Sequence, residues 1–247
     1  MNSVERTAEI LKLLVEEPQR FTDLAQALDL TKGTAHRLVK ALEHAELIKK
    51  NPVSGRYHLG PLMLRVASSP MAEHQLLITS AHEEMRMLRD RSRETVTLQI
   101  AWGTERMCLE EVQSTESIKY VSGKGAVYPI YAGSAGKMLL AVMPDRQIDM
   151  LMRKFYYVPS APNPIQNRDD LWKEIHLARE LGHSTSFGER VSGSASVAVP
   201  IKDYFCPAVL NIMGPVDRFS TNSIASVVEK MKESAHRISR ELSRQIS

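Results

Sequence analysis

A chain of 247 residues with 43% hydrophobic and 25% charged side chains is long enough for one large or two small globular domains with real cores. Its net charge of +3 is too small to argue for nucleic-acid binding, so that reading has to come from local charge placement. Two cysteines, Cys108 and Cys206, in no CxxC spacing exclude a paired-cysteine zinc site, and the absence of an N-terminal apolar stretch or a membrane-length apolar run points to a cytoplasmic protein without a membrane partner.

Residues 3–17 read as a first helix opened by Ser3 and ended by Pro18, with Val4, Ala8, Leu11, Leu14 and Val15 as its apolar stripe. Thr22 is placed to cap a second helix that turns Leu24, Ala25 and Leu28 inward. After the polar turn Asp29-Leu30-Thr31-Lys32-Gly33, a third helix sets Ala35, Leu38, Val39 and Leu42 at i, i+3, i+4, i+7. Its opposite face carries His36, Arg37, Lys40 and His44. A solvated surface helix has the same pattern, so the helix by itself decides nothing. The hairpin behind it does. Residues 46–51 and 56–60 are short apolar runs separated by Pro52-Val53-Ser54-Gly55, which reads as a wing carrying Lys49, Lys50 and Arg56. Two helices joined by a tight turn and followed by a basic hairpin follow winged helix-turn-helix order. The expected DNA-contacting residues are Thr31, Lys32, Thr34, His36, Arg37, Lys40 and Arg56: cations for phosphates or guanine, Thr and His for phosphate or base edges.

Ser3-Val4-Glu5-Arg6, Leu24-Ala25, Thr34-Ala35-His36-Arg37-Leu38, Leu42 and Gly55-Arg56-Tyr57-His58-Leu59-Gly60 resemble the isocitrate-lyase-regulator (IclR) family of bacterial transcription factors. The resemblance implies an N-terminal winged helix-turn-helix followed by a C-terminal effector-binding domain. It also implies a homodimer or dimer of dimers on a palindromic double-stranded operator.

Residues 61–67 read as a short helix that stops at Ser68-Ser69-Pro70, and a second helix is expected over 73–91 with Ile78, Ala81, Met85 and Leu88 buried. The expected division is 1–61 for the DNA-binding domain, 62–92 for linker helices and 93–247 for the effector domain. From Thr95 the period changes to two: 95–102 reads as a half-buried strand, 106–112 as its return and 118–121 as a third strand. Helices follow at 137–143, 145–154 and 169–181, the last capped by Asn167 and closed by Gly182. Residues 194–201 and 208–213 are the last strands, and a final helix from about residue 222 carries the stripe Ile224, Val228, Met231, Ala235, Ile238, Leu242. The fold class is therefore α+β, an antiparallel sheet with helices on one side. The resemblance continues over this half, through Pro129-Ile130-Tyr131-Ala132-Gly133-Ser134-Ala135-Gly136-Lys137, Leu181-Gly182, residues 194–200 and Gly214-Pro215, and implies a fold similar to GAF-type ligand domains.

Gly133-Ser134-Ala135-Gly136-Lys137-Met138 is not a phosphate loop, because Tyr131 stands where the first glycine belongs and Met138 where Ser or Thr is needed. It reads instead as a turn that opens backbone N–H groups toward a carboxylate at a helix N-terminus. The histidines show no paired ligand spacing and no G-x-S-x-G elbow supports a hydrolase, so no catalytic residue, metal or cofactor is expected. The resemblance implies effector contacts at Ser134, Ala135, Ser186, Phe187, Ser196, Asn211 and Met213. Ser186-Phe187 stands where the family has an acidic residue, with Glu189 shortly after, and Met213 where a serine is common. A more apolar pocket for a larger, aromatic ligand follows, walled by Tyr128, Tyr131, Trp102, Phe187 and Met213, although each aromatic, Trp102 above all, also fits a place in the core. The function expected is a DNA-binding transcriptional regulator modulated by a small organic acid or aromatic metabolite. The alternative is a metabolite-binding protein or enzyme whose N-terminal domain docks protein.

Overall fold

The computed structural model describes residues 2–67, 74–153, 165, 167–219 and 221–246. Its contacts divide the chain into two compact units, Met1–Glu73 and His74–Ser247. The expected linker, 62–92, is shared between them.

In the first unit, α1 (Ser3–Glu16) is capped one residue earlier than expected. The Asn2 side chain accepts the Val4 and Glu5 N–H groups at 2.9 Å, and Glu5 accepts the Asn2 N–H in return. The buried stripe is Ile10 and Leu14, while Val4 and Val15 are 78% and 67% exposed, so the expected stripe was turned partly toward solvent. In α2 (Phe21–Ala27) the Arg20 N–H donates to Asp23, and Thr22 lies inside the first turn rather than capping it. The third helix, α3 (Lys32–His44), is capped by Thr31, whose hydroxyl accepts the Thr34 N–H, and buries Ala35, Val39 and Leu42. Strands β1 (Ile48–Lys50) and β2 (Tyr57–Leu59) pair antiparallel as the wing. Tyr57 also bridges Gln19, which ties the wing to the α1–α2 connection. Ile10, Leu14, Leu24, Leu28, Val39, Leu42, Ile48 and Tyr57 form one core. Helix α4 (Pro61–Ala67) ends the described part of this unit, and Ser68-Ser69-Pro70 lies outside the described residues.

The second unit opens with α5 (Gln75–Ser92), which buries Leu77, Ala81, Met85 and Leu88. Then come β3 (Thr95–Trp102), β4 (Glu105–Val112), β5 (Val127–Pro129), α6 (Gly133–Ala141), α7 (Asp145–Met152), α8 (Arg168–Leu181), β6 (Ser184–Phe187), β7 (Ser194–Ile201), β8 (Ala208–Pro215) and α9 (Thr221–Ile246). The strands form an antiparallel sheet in the order β5-β4-β3-β8-β7-β6. Asn167 caps α8 through the Asp170 N–H, and Gly182 closes it at φ +66°, both as expected.

Four expectations are corrected. Helices cover both faces of the sheet, not one. Val96, Leu98, Ile100, Val197, Val199, Leu210 and Ile212 pack with α5 and α9, whereas Ala198 and Val209 pack with α6, α7 and α8. Strand β3 is consequently buried on both sides from Thr95 to Ile100 rather than half-buried. Residues 118–121 form no strand; they run as a loop pinned by Tyr120, whose hydroxyl donates to the Ser192 carbonyl at 2.9 Å. The stretch from Gly133 to Lys137 is the first turn of α6 rather than a turn ahead of it, and Lys154, the expected end of α7, lies outside the described residues.

Gly136 lets α6 sit directly on the chain that leads into it, because a Cβ there would collide with the Ile130 carbonyl. Gly136→Ala is expected to destabilise the protein by about 1–3 kcal/mol through this overpacking. Urea denaturation followed by circular dichroism checks it, and an unchanged midpoint would mean that the approach is looser than described.

Candidate functional site

In the first unit the chemistry faces outward. His36, Arg37 and Lys40 are exposed on the side of α3 opposite Ala35, Val39 and Leu42, Lys32 is exposed at its first position, and Thr34 is half-buried beside the capping Thr31. The Thr31 hydroxyl donates to that of Thr34 at 3.1 Å. Lys40 pairs with Glu43 at 3.0 Å, and that hydrogen bond raises the lysine above its ordinary range. Lys49 and Lys50 are exposed on the wing, with Lys50 over the Tyr57 ring. Arg56 differs from the others: its guanidinium donates to the Pro18 carbonyl at 2.8 Å and so braces the wing against the α1–α2 connection.

In the second unit the chemistry faces inward. Strand alternation sends Val96, Leu98 and Ile100 to the α5/α9 side, and Thr95, Thr97 and Gln99 to the α6 side with Arg106, Ser196 and Asn211 from neighbouring strands. All of these except half-buried Ser196 are buried. They satisfy one another: Gln99 donates to the Thr97 hydroxyl at 2.8 Å, Asn211 donates to the same hydroxyl at 3.3 Å, and the Ser134 hydroxyl donates to Asn211 at 2.7 Å. The Ser134 and Ser196 hydroxyls lie 2.6 Å apart, and Ser184 donates to the Ser134 carbonyl at 2.6 Å. Arg106 completes the chain by donating to Gln99. Buried polar groups persist only when paired in this way.

A narrow cavity of about 50 Å³ lies over this floor. Six of the seven expected effector residues line it: Ser134, Ala135, Ser186, Ser196, Asn211 and Met213. Phe187 does not. One residue beyond Ser186 on β6, it falls on the other face of the sheet, opposite Ala195, and is 42% exposed. The expected aromatic wall is also absent. Trp102 is 51% exposed at the end of β3, in neither core nor cavity, and Tyr131 packs against the α6–α8 cluster. Tyr128 is held behind the cavity between two guanidinium groups, Arg106 at 5.0 Å and Arg190 at 4.0 Å from its ring. The cavity is thus smaller and more polar than the sequence suggested, because the α6-facing side of β3 and β8 supplies its floor.

Gln99, Arg106, Tyr120, Ser122 and Arg190 line the cavity without having been anticipated. The available signal was the Thr-x-Thr-x-Gln alternation of β3, which equally describes a strand with one wet face. Arg106 is 3% exposed, and burial, with Arg190 nearby, pushes its guanidinium down to about 9. Beside the cavity Lys137, 2% exposed, pairs with Glu189 at 2.5 Å and Glu174 at 2.7 Å. The second Glu189 oxygen accepts the Gly133 N–H at 3.0 Å, at the start of α6. Among the described residues no group of three or more His, Cys, Asp or Glu side chains is placed to hold a metal ion, and no helix is long and apolar enough to cross a membrane.

An exposed basic helix with a wing, and a sheet domain enclosing a polar cavity, define a transcriptional regulator with a DNA-reading head and an effector-binding domain. The chain matches the family models for the IclR helix-turn-helix domain over residues 3–52 and for the bacterial transcriptional regulator IclR C-terminal domain over residues 70–240. It belongs to the IclR family of bacterial transcriptional regulators. It is 26% identical over 246 residues to the HTH-type transcriptional regulator XynR of Escherichia coli K12, covering 98% of this chain and 97% of that one. The crystal structure of Thermotoga maritima IclR superposes with a TM-score of 0.83 at 26% identity, over 98% of this chain and 99% of that one. An IclR homologue of Microbacterium hydrocarbonoxydans, solved with 4-hydroxybenzoate, shares the fold at a TM-score of 0.82 and 22% identity, over 98% of this chain and all of that one. Membership decides between the two readings of the sequence: the chain is a DNA-binding regulator with an effector domain, not an enzyme.

Lys137→Met would leave Glu189 buried with the Gly133 N–H and no cation, at an expected cost of about 3 kcal/mol. Adding Glu189→Gln should recover part of that loss, since the two sites share one interaction. Denaturation of the single and double variants measures the coupling, and additive losses would show that the pair is not linked.

Proposed function

We propose that α3 enters the major groove of an operator, with Arg37 and Thr34 at base edges or phosphates. Lys32 and Lys40 sit on phosphates, and Thr31 and His36 contact the adjoining backbone. The observation that carries this reading is the outward set Lys32, His36, Arg37 and Lys40 on a helix whose other side is locked into the core, with the wing directly behind it. Lys49 and Lys50 extend the basic surface along the wing. Arg56 fixes the angle of the wing through Pro18 and offers its remaining N–H groups to a phosphate.

The protein acts as a homodimer, or a dimer of dimers, on a palindromic operator in the cytoplasm, with the segment 62–92 spacing the two heads. Effector contacts come from Ser134, Ala135, Ser186, Ser196, Asn211 and Met213 around the cavity. Its small volume and polar floor support an effector more compact than the 4-hydroxybenzoate held by the Microbacterium homologue. Occupancy of the cavity alters operator affinity.

Operators selected from a random duplex pool provide the test. Arg37→Ala should weaken binding by about 1–3 kcal/mol and relax preference at one position of each half-site. Lys32→Ala should weaken all sequences alike and lower the salt slope by about one. Unchanged affinity in both variants, at matched salt, would contradict the placement of α3.

A further inference from the structure

Helix α3 ends in a left-handed cap, and the residue in that cap is there against its backbone preference. The Leu47 N–H donates to the Leu42 carbonyl and the Glu46 N–H to the Glu43 carbonyl, both at 3.0 Å, so Glu46 is the first residue beyond the C-cap Ala45. Such a residue has to turn left-handed, and Glu46 does so at φ +57°. Glycine is the ordinary choice in this place, as Gly182 is at the end of α8. A glutamate there is strained, and strain of this kind persists where the surroundings hold it.

What holds Glu46 is the start of α4. Its carbonyl accepts the Leu62 N–H at 3.1 Å, and the Gly60 N–H donates to the adjoining Leu47 carbonyl at 2.8 Å. The approach is close enough to demand glycine on the other side. A Cβ on Gly60 would collide with the Glu46 carbonyl and sit 2.8 Å from the Ile48 nitrogen. The backbone therefore fixes the first turn of α4 against the end of α3. The Glu46 carboxylate fixes the second turn, through an ion pair with Arg65. Both side chains are exposed, so the pair adds little to stability. Its place, between the end of the recognition helix and the helix that follows the wing, gives it a different use.

We propose that Glu46 and Arg65 are a positioning pair for operator binding: they set the angle between the recognition helix α3 and the linker helix α4, and with it the half-site spacing that the dimer accepts. This deepens the reading of a homodimer on a palindromic operator and rests on it. A helix of seven residues is about 10 Å long, so a tilt of about 10° at its base moves its far end by about 2 Å. Two heads tilting in opposite senses change their separation by about 4 Å, roughly one base pair. A pair worth little in stability therefore decides between neighbouring spacings. Neither residue is among the expected DNA contacts, and neither has to touch DNA to act.

The test uses the full chain and the operator selected from the random pool. Affinity is measured at matched ionic strength for that operator, for the same operator with one or two base pairs inserted between its half-sites, and for a duplex carrying a single half-site. The readout is the ratio of affinities for the selected and the altered spacing. Glu46→Gln and Arg65→Gln should each lower that ratio by about twofold to fivefold. The double variant should lower it no further than either single one, because both remove the same pair. Exchanging the charges, Glu46→Arg with Arg65→Glu, should restore it. The two single changes shift the net charge in opposite directions, so a field effect on DNA would move half-site affinity oppositely and produce no common loss of discrimination. Glu46→Gly suits the left-handed backbone better. It should unfold at no lower temperature than the unmodified protein and yet lose the same discrimination, which separates positioning from stability. The proposal is overturned if both single variants keep the ratio, if they move it in opposite directions, or if their losses add in the double variant. An unmodified protein indifferent to spacing would sink the palindromic dimer and the proposal with it. A spacing-selective protein whose variants stay selective would sink the proposal alone.

Discussion

A buried guanidinium under a helix N-terminus is an expensive arrangement, and the second unit is shaped by it. One face of its sheet is apolar and packs against α5 and α9; the other carries threonine, glutamine, asparagine, serine and arginine beneath α6. Covering such a face requires every polar group to find a partner or a ligand. The network from Arg106 through Gln99, Thr97 and Asn211 to Ser134 does this for the floor, and Lys137 with Glu189 and Glu174 does it for the side. Gly136 lets α6 sit against the Ile130 carbonyl, and Ser134 in its first turn joins that network. What remains is a small cavity with a polar floor.

The first unit solves the opposite problem. Its apolar residues are gathered into one core from three helices and a hairpin, and the cations of α3 and the wing, Lys32, Arg37, Lys40, Lys49 and Lys50, are exposed, where they cost little. The same residue type therefore does different work in the two halves. Arg37 is exposed on α3, Arg56 donates to the Pro18 carbonyl and braces the wing, and Arg106 is buried and donates to Gln99.

This contrast also explains what could be read from the chain. The winged helix was legible because its signals are local: a period near 3.6 in α3 and a Pro-Val-Ser-Gly turn in the hairpin. Six of the seven effector positions implied by the family resemblance line the cavity. Phe187 was misplaced because a strand reverses its face at each residue, so a shift of one sends a side chain to the other side of the sheet. Arg106 and Gln99 were missed for a different reason. Alternation tells which residues share a face, but not whether that face meets water or another layer of helices. A second helical layer over β3 turned an apparent solvent face into the floor of a site. The exposure of Val4 and Val15 on α1 is the same ambiguity in reverse, since apolar residues at helical spacing do not reveal which of two overlapping stripes finds the core.

The central claim is that the cavity of the second unit and the DNA-reading head of the first are two sites of one thermodynamic cycle. Its most direct test is the dissociation constant of a compound that raises the unfolding temperature, measured on the free protein and again on the protein saturated with operator. Coupled sites require the two constants to differ by about fivefold or more, and operator affinity to change by the same factor when the compound is saturating. Equal constants, with the compound bound in both states, would contradict the account.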